Sequence, residues 1–417
     1  MNKALKVIVF AVLVVFGSTT MATEQRLQIL QEDLLDEAGS AMNFWLRHGP
    51  DREFGGFHGR LARDGQPLQP DQKGLVQQSR HLWALSAWHP YAGDKADQVE
   101  AEAHRIFHFL RDHFLDEDGE FITMVERNGA AMDTRKNIYP QSYTIYGLSQ
   151  YALSFDSDEA RLMALRSFES LDSRGHDAEF LGYDESDEPG WLTDGAQKGV
   201  NTHMHLLEAL TPLYELTGDA RVRARLEELI EVMLYKIIQP EGYAHLEFYR
   251  DWRPYGEPRV SYGHNLEIAW LLLEAYEALE IKPDQKALEV IKSFASNSAH
   301  WGYDVEEGGY FNSGEPGGEP DSKGKSWWVQ TEAITGLWWL YRLTGEVDYL
   351  DKLEATFAYS QAQLIDHEYD GWYSSRLENG ELGSNGTIKG HLWKTSYHTV
   401  RGLVFTHAWI LEDLADD

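Results

Sequence analysis

The sequence predicts an all-α fold, an (α/α)6 barrel of inner and outer helices with short β-hairpins in its loops. Three observations predict it. Six apolar helical runs recur, starting near Leu82, Ile145, Leu206, Glu267, Ala333 and Val400, with spacings of 63, 61, 61, 66 and 67 residues. Six Gly-aromatic turns run in step, at Gly55-Gly56-Phe57, Gly119-Glu120-Phe121, Gly182-Tyr183, Gly242-Tyr243, Gly308-Gly309-Tyr310 and Gly371-Trp372-Tyr373. Between each run and the next turn lies an amphipathic segment. A fixed period of this length marks a repeat architecture. Six strongly apolar inner helices favour a closed ring, in which every inner face is buried, over an open superhelix.

The first 22 residues stand apart from this pattern. Lys3 and Lys6 precede an apolar run over 7–16, and small residues lead to Thr20-Met21-Ala22. That is the layout of a signal peptide cut after Ala22, and the run is too short for a transmembrane helix. The chain has no Cys, which excludes a lipid anchor on that residue and any disulfide. The expectation is a leader over 1–22, export to a periplasm or beyond, and one domain over 23–417. Removing the two lysines takes the formal charge from −31 to −33. Such a surface repels nucleic acid and anionic lipid and leaves neutral or cationic partners.

Each unit then follows in order. The inner run is buried on all sides. Several runs stop at a glycine, as in Leu216-Thr217-Gly218 and Leu343-Thr344-Gly345, the signal of a helix C-terminus. The outer segments, such as 220–237 and 348–364, are charged on one face and apolar on the other. After the Gly-aromatic turns, stretches such as Phe121-Ile122-Thr123-Met124-Val125 and Ala244-His245-Leu246-Glu247-Phe248 alternate in character and read as hairpin strands.

The function-bearing residues gather just before the apolar runs. These helix mouths are Gln77-Gln78-Ser79-Arg80, Tyr139-Pro140-Gln141-Ser142-Tyr143, Asn201-Thr202-His203-Met204-His205, Ser261-Tyr262-Gly263-His264-Asn265-Leu266-Glu267, Trp327-Trp328-Val329-Gln330-Thr331-Glu332 and Trp393-Lys394-Thr395-Ser396-Tyr397-His398. Core packing does not demand polar and aromatic residues at six matched places. In a ring they converge on one cavity, the ordinary description of a catalytic pocket. A lone histidine is more often a core residue than a catalyst. Two at matched mouths, His264 and His398, tip the balance towards chemistry. His203 and His205 are two apart and point in different directions on a helix, so one at most faces the cavity. His203, nearer the mouth, is the expected one. Arg80 reads as a pocket cation. Of the adjacent Trp327 and Trp328, only one can lie along a sugar, with Trp393 as a second platform, although most of the 14 Trp, 21 Tyr and 17 Phe serve the core.

The mouths resemble those of the N-acylglucosamine 2-epimerase superfamily, in particular its cellobiose and mannobiose 2-epimerase branch. The likeness runs from about residue 40 to the end. It rests on Gln78-Ser79-Arg80, Asn201-x-His203-x-His205, Ser261-Tyr262-Gly263-His264-x-x-Glu267, Trp327-Trp328-Val329-Gln330-x-Glu332 and Trp393-Lys394-x-x-Tyr397-His398-x-x-Arg401. Asn265-Leu266 and Thr395-Ser396 depart from the family's usual Asp-Ile and Cys-Pro. The resemblance implies epimerisation at C2 of the reducing-end aldose of a β-1,4-linked disaccharide, with neither cofactor nor metal. It implies His264 and His398 as the alternating base and acid, and His203 and Arg80 near the C1 and C2 oxygens. Glu267 would orient His264, and Glu332 would bond the sugar or assist ring opening. Trp393 and one of Trp327 and Trp328 would stack on the sugar rings, with Tyr143 and Asn201 completing the pocket. Imidazole suits both halves of such a reaction, because its unperturbed pKa lies near neutrality. Three other readings remain open: an aldose–ketose isomerase passing through the same enediolate, a glycoside hydrolase using Glu267 and Glu332, and a sugar-binding protein without chemistry.

Overall fold

The structure is a computed structural model that describes residues 21–185 and 197–416. All but the last two residues of the expected leader lie outside that range, and those two open the first helix. Twelve helices follow among the described residues. Six form the inner ring: α2 (Leu75–Trp88), α4 (Ile138–Phe155), α6 (Val200–Thr217), α8 (Tyr262–Ala278), α10 (Trp327–Thr344) and α12 (Tyr397–Asp416). Six lie outside: α1 (Met21–His48), α3 (Ala96–His113), α5 (Asp158–Gly175), α7 (Ala220–Val232, continued by a π turn to Ile237), α9 (Gln285–Trp301) and α11 (Val347–Gln363). Each inner helix packs on its neighbour in chain order, and α12 packs on α2, so the ring closes as an (α/α)6 barrel. Each inner helix also packs on the outer helix that follows it. The last one, α12, packs on α1, the first.

Why the inner helices form is plain from their composition. Apart from the first turns they carry Leu, Ala, Trp, Ile and Tyr, nearly all buried. Gly218 ends α6 and Gly345 ends α10 with φ of 61° and 71°. These left-handed positions are ones a side chain resists. Every inner helix starts three to seven residues earlier than its apolar run, as with Leu75 against Leu82 and Tyr262 against Glu267. The polar mouths of the first five units therefore lie largely in the first two helical turns, whereas residues 393–396 of the sixth precede α12. Apolarity marks where a helix is wrapped on all sides, whereas the helix itself begins where its side chains line the cavity.

The hairpins tie units together at the mouth end. The strand before α2 (Lys73–Gly74) pairs with Met124–Val125 of the next unit, Lys198–Gly199 with Glu247–Phe248, Val260–Ser261 with Ser313–Gly314, and Lys325–Ser326 with Ser375–Arg376. Ile388–Gly390, before α12, pairs with Leu61–Ala62 of the first unit and closes the ring a second time.

A lysine two residues before the inner helix recurs as a brace. Lys73, Lys198 and Lys325 reach Asp51, Asp177 and Asp304 at 2.9, 2.9 and 2.7 Å, and each also donates to a carbonyl of the Gly-aromatic turn. Lys136–Asp116 and Lys389–Asp366 repeat the pair in the second and sixth units. In the fourth unit Val260 stands at the lysine position and packs with Tyr243 and Tyr262 instead. Burial works against the Asp304 carboxylate, yet the Lys325 hydrogen bond and charge hold its pKa below the ordinary value. Replacing Lys325 by Met strands that charge and is expected to cost about 2–3 kcal/mol in urea unfolding, with Asp304→Asn recovering part of the loss in the double variant.

Candidate active site

Two registers of the inner helices divide structure from chemistry. The fourth residue of each of the first five inner helices is Gln78, Gln141, His203, Asn265 and Gln330. Each bonds the backbone of its Gly-aromatic turn or of the residue beside it. Gln78 accepts from Phe57 N at 2.9 Å and donates to Phe57 O at 3.0 Å. Gln330 does the same with Tyr310 at 2.7 and 2.8 Å. Gln141 donates to Phe121 O, and Asn265 accepts from Ala244 N. His203 holds this position in α6. Its Nε2 accepts from Tyr183 N at 2.9 Å, and its Nδ1 donates to Gly199 O at 2.7 Å. Both nitrogens are spoken for by backbone, and burial lowers its pKa to about 3. His203 is therefore a neutral brace, which corrects the expectation that it faces the cavity.

The sixth residue of the same helices points inward: Arg80, Tyr143, His205, Glu267 and Glu332. Arg80 donates to Tyr143 Oη at 2.5 Å and to the Trp393 carbonyl at 2.8 Å, with its guanidinium 4.3 Å from the Tyr143 ring centre. The Tyr143 hydroxyl lies 3.0 Å from His205 Nε2, and His205 Nδ1 lies 2.8 Å from Glu208 Oε2. Of the two neighbouring histidines, His205 belongs to the cavity.

α12 supplies the sixth side. His398 Nδ1 lies 2.7 Å from Glu332 Oε1, and the same oxygen accepts from Arg401 Nη2 at 2.7 Å. The other Glu332 oxygen accepts from Trp270 Nε1 at 3.2 Å. With both oxygens held, Glu332 sits behind His398 rather than at the sugar, a correction to its expected role. Arg401, fully buried, also binds Glu267 and Glu208, and Tyr397 Oη joins the same group. Glu267 is thus turned to Arg401 and does not orient His264. The cation is the stronger attraction for a buried carboxylate. His264 Nδ1 has no hydrogen-bond partner, and its ring rests 4.8 Å from that of Trp328.

Trp328 is also 5.9 Å from His398, so its ring lies across both imidazoles. Trp327 is buried behind His398 at 6.3 Å, while Trp393 stands more than one-third exposed at the rim, 6.3 Å from Tyr139. Asn201 lies on an exposed face of α6. Burial lowers the His264 pKa to about 4. For His398, burial and then the charges of Arg80 and His264 push it well below the usual value. Burial thus favours the neutral form of each ring, the form that a base must have at neutral pH.

Metal-type groupings occur at His205–Glu208–Glu267 and Glu267–Glu332–His398, but the Arg401 guanidinium is the cation that binds their carboxylates. A third, Asp51–His58–Asp71, is closed by Lys73 and Arg127. The sequence reading left Glu208, Tyr397 and Arg401 out of the site, although the signal was present. Glu208 is a carboxylate inside an apolar run, three residues after His205, in the spacing of His264 and Glu267.

Comparison with known proteins gives the family and the fold. Residues 55–402 match the family described as N-acylglucosamine 2-epimerase (GlcNAc 2-epimerase). The cellobiose 2-epimerase of Bacteroides fragilis is 30% identical over 90% of this chain and 97% of its own length. The D-mannose isomerase of Marinomonas mediterranea is 24% identical over 83% of this chain and 89% of its own. The structure of the cellobiose 2-epimerase of Spirochaeta thermophila superposes with a TM-score of 0.87 at 29% identity, covering 95% of this chain and 100% of that one. A glycoside hydrolase family 76 α-mannanase of Bacteroides thetaiotaomicron, with a TM-score of 0.61 at 13% identity over 93% of this chain and 97% of its own, shares the fold alone. The chain belongs to the N-acylglucosamine 2-epimerase family, a family of carbohydrate epimerases and isomerases.

Proposed function

We propose that this enzyme inverts C2 of the reducing-end aldose of a β-1,4-linked disaccharide of the cellobiose or mannobiose type, and that it does so outside the cytoplasm after loss of residues 1–22. The observation that carries the chemistry is the pair of imidazoles, His264 from α8 and His398 from α12, with the Trp328 ring beside both. Ring opening exposes the aldehyde, which acidifies the C2 proton. One imidazole removes that proton, and the electron pair moves into a cis-enediolate. The other imidazole enters the step protonated, gives that proton to the opposite face of C2 and is left neutral, while the first keeps the proton it removed. Arg80, cationic and anchored to Tyr143, stabilises the enediolate oxygens. His205, not His203, is the second hydrogen-bonding group for those oxygens. Trp393 at the rim suits a second sugar ring, which favours a disaccharide over a monosaccharide. The relatives named cellobiose 2-epimerase support the same choice.

The D-mannose isomerase relative favours one further reading, protonation of the same enediolate at C1 to give a ketose. Hydrolysis draws no support from the site, since Glu208, Glu267 and Glu332 are all turned to Arg401.

Proton NMR of cellobiose, mannobiose and mannose, each incubated with the mature chain in D2O, tests the proposal. Deuterium at C2 together with the C2 epimer is the expected outcome for a disaccharide. A ketose product moves the assignment to isomerase, and no exchange with any sugar removes the enzymatic reading. His264→Ala and His398→Ala are each expected to lower turnover by about 100-fold or more. His203→Gln installs the amide used at the equivalent positions and should leave turnover within about threefold. His205→Gln should lose roughly 100-fold.

A further inference from the structure

The Arg401 side chain is entirely buried, and nothing in its surroundings presents it to a sugar. It nevertheless binds a carboxylate from each of three inner helices: Glu208 of α6, Glu267 of α8 and Glu332 of α10. One of the three, Glu332, is the hydrogen-bond partner of His398. Resting on the two-histidine reading above, we infer that Arg401 is a positioning residue. Through Glu332 it fixes the ring orientation and the proton load of His398, and Glu208 competes with Glu332 for its charge.

The titratable groups gathered around His398 and Arg401 can be named element by element. Arg80 comes from α2, Tyr143 from α4, His205 and Glu208 from α6, and His264 and Glu267 from α8. Glu332 comes from α10, and Tyr397 and Arg401 from α12 itself. Lys394, on the approach to α12, turns its Nζ to the carbonyls of Trp372 and Lys389. Two guanidinium groups therefore meet three carboxylates. With all five ionised the cluster carries one surplus negative charge, which is costly for buried groups. Holding one proton on the histidines or carboxylates removes it. A C2 epimerase needs one proton held ready on the far side of the carbon it deprotonates, and this cluster is built to retain one.

The consequence is a pair of shifts with opposite sign. Removing the Arg401 charge makes the His398–Glu332 pair bind its proton more tightly. Removing the Glu208 charge hands more of Arg401 to Glu332 and makes the pair release that proton more easily. The experiment follows the His398 ring proton by NMR against pH in the mature chain with 13C-labelled histidine, assigned by comparison with His398→Ala, alongside kcat and KM against pH. In Arg401→Gln the His398 titration and the acidic limb of kcat should move up by about one pH unit or more. In Glu208→Gln both should move down. Arg401→Lys, which keeps the charge without the fork, should return the titration towards wild type while kcat stays low. KM should change little in all three, since none of the residues contacts the sugar.

Shifts in the same direction for both neutralising variants, or a fall in kcat with no change in titration, would overturn the inference. If Arg401→Gln does not fold, the downward shift in Glu208→Gln decides alone. Should the wild-type chain epimerise no sugar, the proposed function fails, while the His398 titration still judges the role of Arg401.

Discussion

The structure depends on one buried cation. Arg401 has no exposed surface, and burying a guanidinium is tolerable only when its donors are met by charged acceptors. Here the acceptors come from α6, α8 and α10, with Tyr397 of α12 closing the group. Four of the six inner helices thus converge on one planar group whose donor directions are fixed. An apolar ring can tolerate small sliding of one helix past another, because dispersion forces are not directional. A forked guanidinium with three carboxylates cannot. The rotation of α12 about its axis, and with it the direction of His398, follows from where those carboxylates stand.

The same economy runs through the repeats. The fourth residue of an inner helix bonds the backbone of the Gly-aromatic turn or its neighbour, and the sixth faces the cavity. The Gly-aromatic turn is in turn held by the lysine brace from below. Backbone that lies against the cavity is satisfied before any substrate arrives, as buried peptide groups require. The sixth-residue side chains are therefore released from bracing the turns, and their identity can vary from Arg to Tyr to His to Glu around one ring. In Gly309, φ of 78° and the closeness of Gln330 Oε1 to any added Cβ show how tightly a turn is drawn to its helix.

Much of this was legible in the sequence, because period is a collective property. Six apolar runs and six Gly-aromatic turns determine the number of helix pairs whatever happens at individual residues, and ring closure follows from the need to bury six inner faces. The site was legible as a set of helix mouths for the same reason. What escaped was the direction of single side chains. His203 and His205 are chemically identical, and the mouth position favoured the wrong one. Alignment of the units shows that His203 shares its place with Gln78, Gln141, Asn265 and Gln330, all amides, so a hydrogen-bonding brace was written there. Glu267 was expected to orient His264, three residues before it on the same helix. The pairing observed is with Arg401, 134 residues away, and no local rule reaches that far.

The two imidazoles end up with unequal support, and that inequality bears on the chemistry. His398 has a carboxylate on Nδ1, which fixes the nitrogen that faces the cavity and stabilises the ring when it is protonated. His264 Nδ1 has no such partner, and its ring has only the tilted contact of Trp328 and the cost of burial. Protonating either ring works against burial, and only His398 has a carboxylate on Nδ1 to offset that cost, so His264 is the ring left to act as the neutral base. In a C2 epimerisation the base and acid exchange roles when the direction reverses. On the two-histidine reading proposed above, the direction that begins with His264 as base starts from the favoured arrangement of protons. The reverse direction requires a proton to move from the His398 side to the His264 side before or during turnover. A cluster with one more carboxylate than guanidinium on the His398 side keeps that proton inside the barrel, where it remains available to either face of the sugar.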